Sequence, residues 1–233
     1  QLGYIVTAIA LMSHLGWVTA LYLVANHLMV KGILFLAVAG VILRCGTRRL
    51  DELGGLARRM PWTFVTATVA LVSMSGLPPL AGFGGKWLLL GAMVDRGWYG
   101  LVALGIAATL LGLLYMFRLG RALFFGTPGP ATEGAREAPA QLLLPQIVLV
   151  AAILALSFLP KLFMEPISAA IDPYFATTLV WQGMSLEMIY GYWNPVPVMG
   201  GSVAAAAILL AIFWALYRLR RERAWTTPSF AAF

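Results

Sequence analysis

Charge and cysteine are both scarce in this chain. Of its 233 residues only 11% are charged, and Cys45 is the single cysteine. A soluble domain carries about 25% charged residues, so a soluble globular protein is excluded. One cysteine excludes an internal disulfide and a cysteine metal cluster made by this chain alone. Walker A, GxGxxG, HExxH and nucleophile-elbow motifs are missing too, so we predict no catalytic site, no metal site and no cofactor.

Carboxylates are missing from the long apolar runs. The chain has nine Asp and Glu residues. None lies well inside a run, and Asp95 stands at the end of one. Any cation inside an apolar run therefore has no carboxylate partner from this chain at membrane depth.

Long apolar runs dominate what remains. Hydrophobic residues make up 61% of the chain, and the mean hydropathy is +0.86. About 20 apolar residues are needed to cross a bilayer as a helix. On that rule we predict an all-α polytopic membrane protein with one partial span and five full ones, at residues 1–13, 15–43, 62–94, 98–125, 141–159 and 198–219.

The run 62–94 has an unusual length. As one straight helix it would measure about 50 Å at 1.5 Å per residue, which is too long for one upright span and too short for a hairpin of two. Such irregular backbone survives at membrane depth only against protein or water. The run is therefore predicted to be one discontinuous transmembrane helix, broken where its glycines and prolines cluster, at Gly76, Pro78, Pro79, Gly82, Gly84 and Gly85.

Basic residues assign the two sides of the membrane. Under the positive-inside rule, cytoplasmic loops are rich in Lys and Arg. Twelve of the 16 Lys and Arg residues fall on one side of the predicted map and two on the other, which predicts a cytoplasmic C-terminus. The segment 160–197 is then a long external loop, and His14 lies in a short one. Aromatic residues of the long loop are predicted to be interfacial anchors, namely Trp181, Tyr190, Tyr192 and Trp193.

Two lysines interrupt the apolar runs. Lys31 lies in the run 15–43 and Lys86 in the run 62–94. A charge at bilayer depth costs a few kcal/mol or more, so it persists mainly beside a polar pathway. His27 precedes Lys31 by four residues and shares its helix face. We predict that His27, Lys31 and Lys86 are stations on a proton pathway. The alternatives are that the lysines snorkel to an interface, that His27 only packs, and that the break is a plain kink.

An ordered series of short motifs resembles a known family. It comprises Asn26-His27-x₃-Lys31-Gly32, Leu53-Gly54-Gly55-Leu56, and Gly76-Leu77-Pro78-Pro79-Leu80-Ala81-Gly82-Phe83 followed by Lys86. The series is similar to that of the antiporter-like proton-pumping subunits of respiratory complex I, of Mrp-type cation/proton antiporters and of membrane-bound hydrogenases. The resemblance is strong over residues 1–126, and beyond them only the hydropathy agrees.

The resemblance implies a fold of two inverted five-helix bundles, each with one broken helix. Residues 1–126 would be part of the second bundle, and residues 127–233 would supply C-terminal transmembrane helices with a long external loop. Lys31 would belong to the helix before the broken one, and Lys86 would lie at the break. We expect the chain to derive from something longer and not to pump alone, because the first bundle is missing.

The leading functional prediction is proton translocation along the lysine/histidine axis, as part of a subunit of a redox-driven complex of NADH:quinone or hydrogenase type. The alternative is an Mrp-type Na⁺/H⁺ antiporter subunit. A membrane scaffold with snorkelling lysines is a third reading, and a small-solute transporter is disfavoured because the break offers few binding groups. Predicted partners are other membrane subunits, the lipid bilayer, and protons or sodium ions, but no nucleic acid. The predicted location is the cell inner membrane.

Overall fold

The computed structural model describes residues 1–189 and 191–226. Within those ranges it contains eight α-helices and three short strands. The helices, numbered α1 to α8 in chain order, are Leu2–Ala10, His14–Cys45, Pro61–Ser75, Ala81–Asp95, Tyr99–Phe124, Ala140–Phe158, Pro160–Ile171 and Pro195–Thr226.

Four of these helices are long and apolar enough to cross a membrane, namely α2, α5, α6 and α8. Their bounds agree with the predicted spans to within a few residues, except that α8 continues beyond the predicted end at residue 219. The prediction of an all-α polytopic membrane protein is confirmed.

The helix α2 is the centre of the bundle. It packs against α1, α3, α4, α6 and α7. Its first turn is capped by the Ser13 hydroxyl, which accepts a hydrogen bond from the Gly16 N–H at 3.1 Å. Its last turn ends at Gly46, whose φ of 71° is the left-handed conformation that glycine adopts freely. The small residue Gly32 lets α6 approach closely, since a Cβ there would lie 2.8 Å from Leu149 Cδ1.

The predicted discontinuous helix is present as two half-helices. Each of α3 and α4 has 15 residues, or about 22 Å of helix. Residues 76–80 separate them, and the Pro78–Pro79 peptide bond is cis. Neither half crosses a bilayer alone, so the pair acts as one broken span.

Contacts group the loops at two ends of the bundle. At one end the Gly55 N–H donates to the Phe125 carbonyl at 3.2 Å, and Arg44 Nε donates to the Glu137 carbonyl at 2.9 Å. The Glu137 carboxylate also caps α3 by accepting the Trp62 N–H at 2.7 Å. At the other end Arg96 donates to the Met12 carbonyl at 3.1 Å. Segments predicted to share a side therefore do lie together.

The segment predicted to be a long loop has more structure than expected. It contains α7 and an antiparallel sheet of β1 (Trp181–Gln182), β2 (Ser185–Met188) and β3 (Gly191–Trp193), paired in the order β1-β2-β3. Strands of two to four residues leave too short an alternation to be read from sequence.

The anchor prediction fails for Trp193. Its side chain is only 4% exposed and packs inside the protein, against Phe83 with 5.8 Å between ring centroids. Tyr192 is exposed, and Trp181 is half-buried. Tyr190, the remaining predicted anchor, lies outside the described residues.

Candidate functional site

Lys86 lies in the second turn of α4, beside the break. Its side chain is 5% exposed. The ammonium Nζ donates hydrogen bonds to the Ser75 carbonyl at 3.0 Å and the Met74 carbonyl at 3.3 Å. These carbonyls lack partners within α3 because that helix ends at Ser75. They also form the negative end of its dipole, which favours a cation.

An aromatic ring completes the environment of the ammonium. The Tyr4 ring centroid lies 5.1 Å from Lys86 Nζ, within the range of a cation–π contact. All these partners are neutral, and no ion pair involves Lys86 in the part of the chain that the structure describes. An ammonium held by dipoles alone is not locked into an ion pair, so this site is suited to a group that exchanges a proton.

Gly76 makes room for the lysine. Its φ is 76°, and a Cβ built on it would lie 2.6 Å from Lys86 Cδ and 2.9 Å from Nζ. Any L side chain would therefore meet both backbone strain and the lysine stem. Only glycine allows the Lys86 side chain to pass over the end of α3 to its carbonyls.

The glycines of α4 permit close approach by other elements. A Cβ on Gly82 would collide with the Ser73 carbonyl, and one on Gly84 would lie 2.7 Å from Trp193 Cζ2. A Cβ on Gly85 would lie 2.5 Å from Leu23 Cδ2. The sequence predicted these glycines as parts of the break, but all three belong to the first turns of α4 and serve its packing. Pro78 and Pro79 occupy the irregular segment itself.

A serine that sequence reasoning did not single out caps α4. The Ala81 N–H donates to Ser157 Oγ at 2.8 Å, and Ser157 Oγ in turn donates to the Ile153 carbonyl at 2.7 Å. Ser157 belongs to α6 and lies 76 residues after Ala81 in the sequence, so no local motif predicts the contact. It satisfies a backbone donor that the break leaves free at the start of α4.

Two further hydrogen bonds tie α2 to this region. Ser73 Oγ donates to Asn26 Oδ1 at 2.7 Å, and the Tyr22 hydroxyl donates to the Leu156 carbonyl at 2.9 Å. The three polar side chains of these pairs join helices to one another. Buried polar groups are thus paired across three helices around the break.

The structure places His27 and Lys31 on α2, and both are half-buried. Lys31 Nζ lies 5.9 Å from the ring centroid of Phe35, whose side chain is 72% exposed. Among the described residues no hydrogen bond or ion pair joins either one to Lys86, and no carboxylate pairs with Lys31. Their role as pathway stations stays a prediction.

Comparison with known proteins identifies the fold around this site. Residues 1–112 match the family described as "NADH:quinone oxidoreductase/Mrp antiporter, TM". The chain belongs to this antiporter-like family. The family predicted from the motif series is thereby confirmed, and the chain is a multi-pass membrane protein.

Relatives come from more than one branch of the antiporter-like family. The chain is 36% identical over 186 residues to NADH-quinone oxidoreductase subunit N of Desulforudis audaxviator, an alignment that covers 75% of this chain and 36% of the relative. It is 33% identical over 159 residues to an Na(+)/H(+) antiporter subunit of Alkalihalophilus pseudofirmus, covering 68% of this chain and 32% of the relative. The chain thus spans about a third of the length of the curated relatives it matches.

A solved structure extends the likeness beyond residue 112. A chain of the membrane-bound sulfane sulfur reductase, an archaeal respiratory membrane complex, superposes with a TM-score of 0.71 and 27% identity. The superposition covers 94% of this chain and 34% of that one. Nearly the whole arrangement of helices described above therefore recurs in a respiratory membrane complex.

Proposed function

We propose that this chain is a proton-translocating part of an antiporter-like subunit in a larger membrane complex, with Lys86 as the group that gains and loses the proton. One observation carries the proposal. Lys86 is buried at the break of a membrane helix, and the hydrogen bonds of its ammonium go to backbone carbonyls. A charge at such depth without a counter-ion is costly unless a polar pathway reaches it.

We propose that His27 and Lys31 are further stations of the same pathway. They lie one turn apart on α2, the helix that contacts both halves of the broken span. Histidine exchanges protons near neutral pH, and a lysine in an apolar setting can do so as well. The half-buried state of both side chains is consistent with a site that another part of the complex completes.

The proposed complex contains other membrane subunits. The relatives are named as subunits, and this chain covers only about a third of their length. In our proposal residues 1–126 are part of the second antiporter-like bundle and residues 127–233 form the C-terminal membrane region. The exposed apolar faces of α5 and α8 offer surfaces for neighbours and for lipid. We favour a redox-driven complex in the cell inner membrane, with the α7 side external and the C-terminus cytoplasmic, as the distribution of arginines indicates.

The test is proton pumping by the intact complex in sealed vesicles. Lys86→Met keeps the length of the side chain but removes its charge, and we expect pumping per turnover to fall at least about tenfold, as for the loss of a positioned proton-transfer group. Lys161→Met is the matched control because Lys161 lies on α7 in a surface ion pair with Glu165 at 3.3 Å. Pumping at the wild-type level by an assembled Lys86→Met complex would contradict the proposal.

Exchange of sodium for protons is the second candidate function. The similarity to an Na(+)/H(+) antiporter subunit favours it, and the same Lys86 site would carry the proton. Proton movement in vesicles measured with and without a sodium gradient separates the two functions. A strict dependence on sodium, with no dependence on a redox substrate, would favour the antiporter.

A further inference from the structure

A second polar site lies at the opposite end of α4 from the break. There a cavity of about 480 Å³ opens where α2 begins and α4 ends, with the sheet beside it. Ionisable groups from three parts of the chain line its walls, namely His14, Asp95, Arg96 and Glu187. The hydropathy pattern predicts a loop position for His14. It is instead the first residue of α2 and is 2% exposed.

The partner of His14 determines which of its two ring nitrogens carries the hydrogen. Its Nε2 lies 2.8 Å from Asp172 Oδ1, just after α7, and 3.3 Å from Ser168 Oγ. A neutral imidazole has one N–H donor and one acceptor nitrogen. The carboxylate accepts only, so the hydrogen of the neutral ring is assigned to Nε2 and Nδ1 is left as an acceptor. That Nδ1 is buried and has no hydrogen-bond partner among the described residues.

Asp95 supplies a second acceptor of the same kind. Its Oδ1 is also buried and unpaired within the described ranges. The neighbouring Arg96 does not satisfy it through the hydrogen bond observed, which goes to the Met12 carbonyl. A buried polar atom left unpaired costs about 1–3 kcal/mol. Both residues line the cavity, so the cavity fits a ligand that donates hydrogen bonds.

We propose that this cavity is a proton-exchange site open to the aqueous phase on the α7 side, with His14 Nδ1 and Asp95 as its accepting groups. This inference rests on the proposed proton translocation. A hydronium ion gives its proton to His14 Nδ1 and leaves as water, and the resulting imidazolium keeps its hydrogen bond to Asp172. A proton fits better than a metal ion, because no three His, Cys, Asp or Glu residues group as metal ligands in the described chain.

Charged groups of both signs surround the cavity. Asp95 of α4, Asp172 after α7 and Glu187 of β2 are negative, while Arg96 contributes a guanidinium to the wall. Asp95 lies nine residues after Lys86, or about 13 Å along α4. The buried side chains Leu89, Ala92 and Met93 fill the interval. The cavity is thus distinct from the lysine site.

The experiment varies the pH on the α7 side of vesicles that contain the intact complex. For the wild type we expect the pumping rate to depend on the pH of that side with an inflection, because His14 exchanges its proton with that phase. His14→Gln retains a side-chain amide near Asp172 but cannot titrate, so it should remove the inflection and lower the rate at least about fivefold. Glu165→Gln is the control because Glu165 lies on α7 and does not line the cavity. It should leave the rate and the inflection unchanged.

Asp95→Asn is the second variant, and it decides the matter if His14→Gln fails to assemble, because Asp95 Oδ1 has no hydrogen bond to lose among the described residues. It should lower the rate in the same direction. The inference is overturned if both variants pump like the wild type, or if the rate falls while the inflection stays, which indicates a purely structural role. When Lys86→Met stops pumping and these variants do not, only the cavity proposal fails; when Lys86→Met pumps normally, the proposed function itself fails.

Discussion

Lys31 and Lys86 present the same signal in the sequence but occupy different surroundings in the structure. Each is a lone lysine inside an apolar run. Lys86 is enclosed by this chain and finds two carbonyls and an aromatic ring. Lys31 is half-buried, and its ammonium lies over the exposed ring of Phe35. The difference shows that this chain encloses one lysine and leaves the other half-exposed.

Removing the tryptophan behind α4 should have the largest effect on this comparison. Trp193→Ala empties a buried position against Gly84, and such truncations cost about 3–5 kcal/mol. Hydrogen exchange of the α4 amides in the intact complex should report a loss of stability of that size, while the α2 amides around Lys31 change little. Trp214→Ala on the exposed face of α8 is the control. Equal loosening around both lysines would break the comparison.

Filling the space over the end of α3 should cause the second-largest loss of stability. Gly76→Ala combines backbone strain of about 1–2 kcal/mol with a clash against the Lys86 stem, which we expect to add about 1–3 kcal/mol. Gly46→Ala is a matched control, since Gly46 has a φ of 71° at the end of α2 but no described atom near its Cβ position. Thermal unfolding of the complex in nanodiscs measures both. If the two variants lose the same stability, the lysine does not need the space.

The cap on α4 should contribute less. Ser157→Ala leaves the Ala81 N–H buried without its acceptor, which costs about 1–3 kcal/mol. Ser202→Ala is the control because the hydrogen bond that Ser202 donates among the described residues stays within α8, to the Val198 carbonyl. Faster exchange at the first α4 amides, with α2 unaffected, is the expected readout. No change there would mean that another group replaces the serine.

Neutralising the half-buried lysine of α2 should barely alter stability. Lys31→Met removes a half-exposed charge with no ion pair among the described residues, so we expect a change within about 0.5 kcal/mol. Its effect on pumping should be much larger than its effect on unfolding if the pathway proposal holds. A strongly destabilised Lys31→Met complex would show that Lys31 is already a structural residue within the assembly.

The smallest effect on stability is expected for an exposed ion pair, which serves as a reference for the two lysines. Arg49 donates to Asp51 at 2.7 Å, and this hydrogen bond lowers the pKa of the Asp51 carboxyl below its ordinary value. A carboxyl whose pKa is lower in the folded state adds stability above its unfolded pKa and loses it as the pH falls through the folded one. Arg49→Ala should therefore raise the pKa of Asp51 toward its ordinary value, as measured by NMR, with little change in melting temperature. An unchanged pKa would contradict the pairing.

Much of the fold follows from hydropathy, but the lysine site follows only in part. Span lengths predict the helices, because the thickness of the bilayer sets the length of a membrane helix. The Gly/Pro cluster predicts the break, because glycine adopts backbone conformations that other residues avoid. Lys86 stands out because a charge is rare at that depth. Ser157, Trp193 and the His14–Asp172 pair could not be predicted, since each contact joins residues far apart in the chain and depends on packing. A serine, tryptophan or histidine in the sequence gives no indication of such a contact until its partner in the fold is known.

Successive residues of α6 hold two different helices. Leu156 accepts the Tyr22 hydroxyl of α2, and Ser157 accepts the Ala81 N–H of α4. The helix α6 therefore links α2 mechanically to α4. A sideways displacement of about 1 Å would stretch both hydrogen bonds at once, since such bonds weaken steeply beyond their preferred length. Any force applied to α6 by a neighbouring subunit would thus reach the N-terminal end of α4, and with it Lys86, without touching the lysine itself.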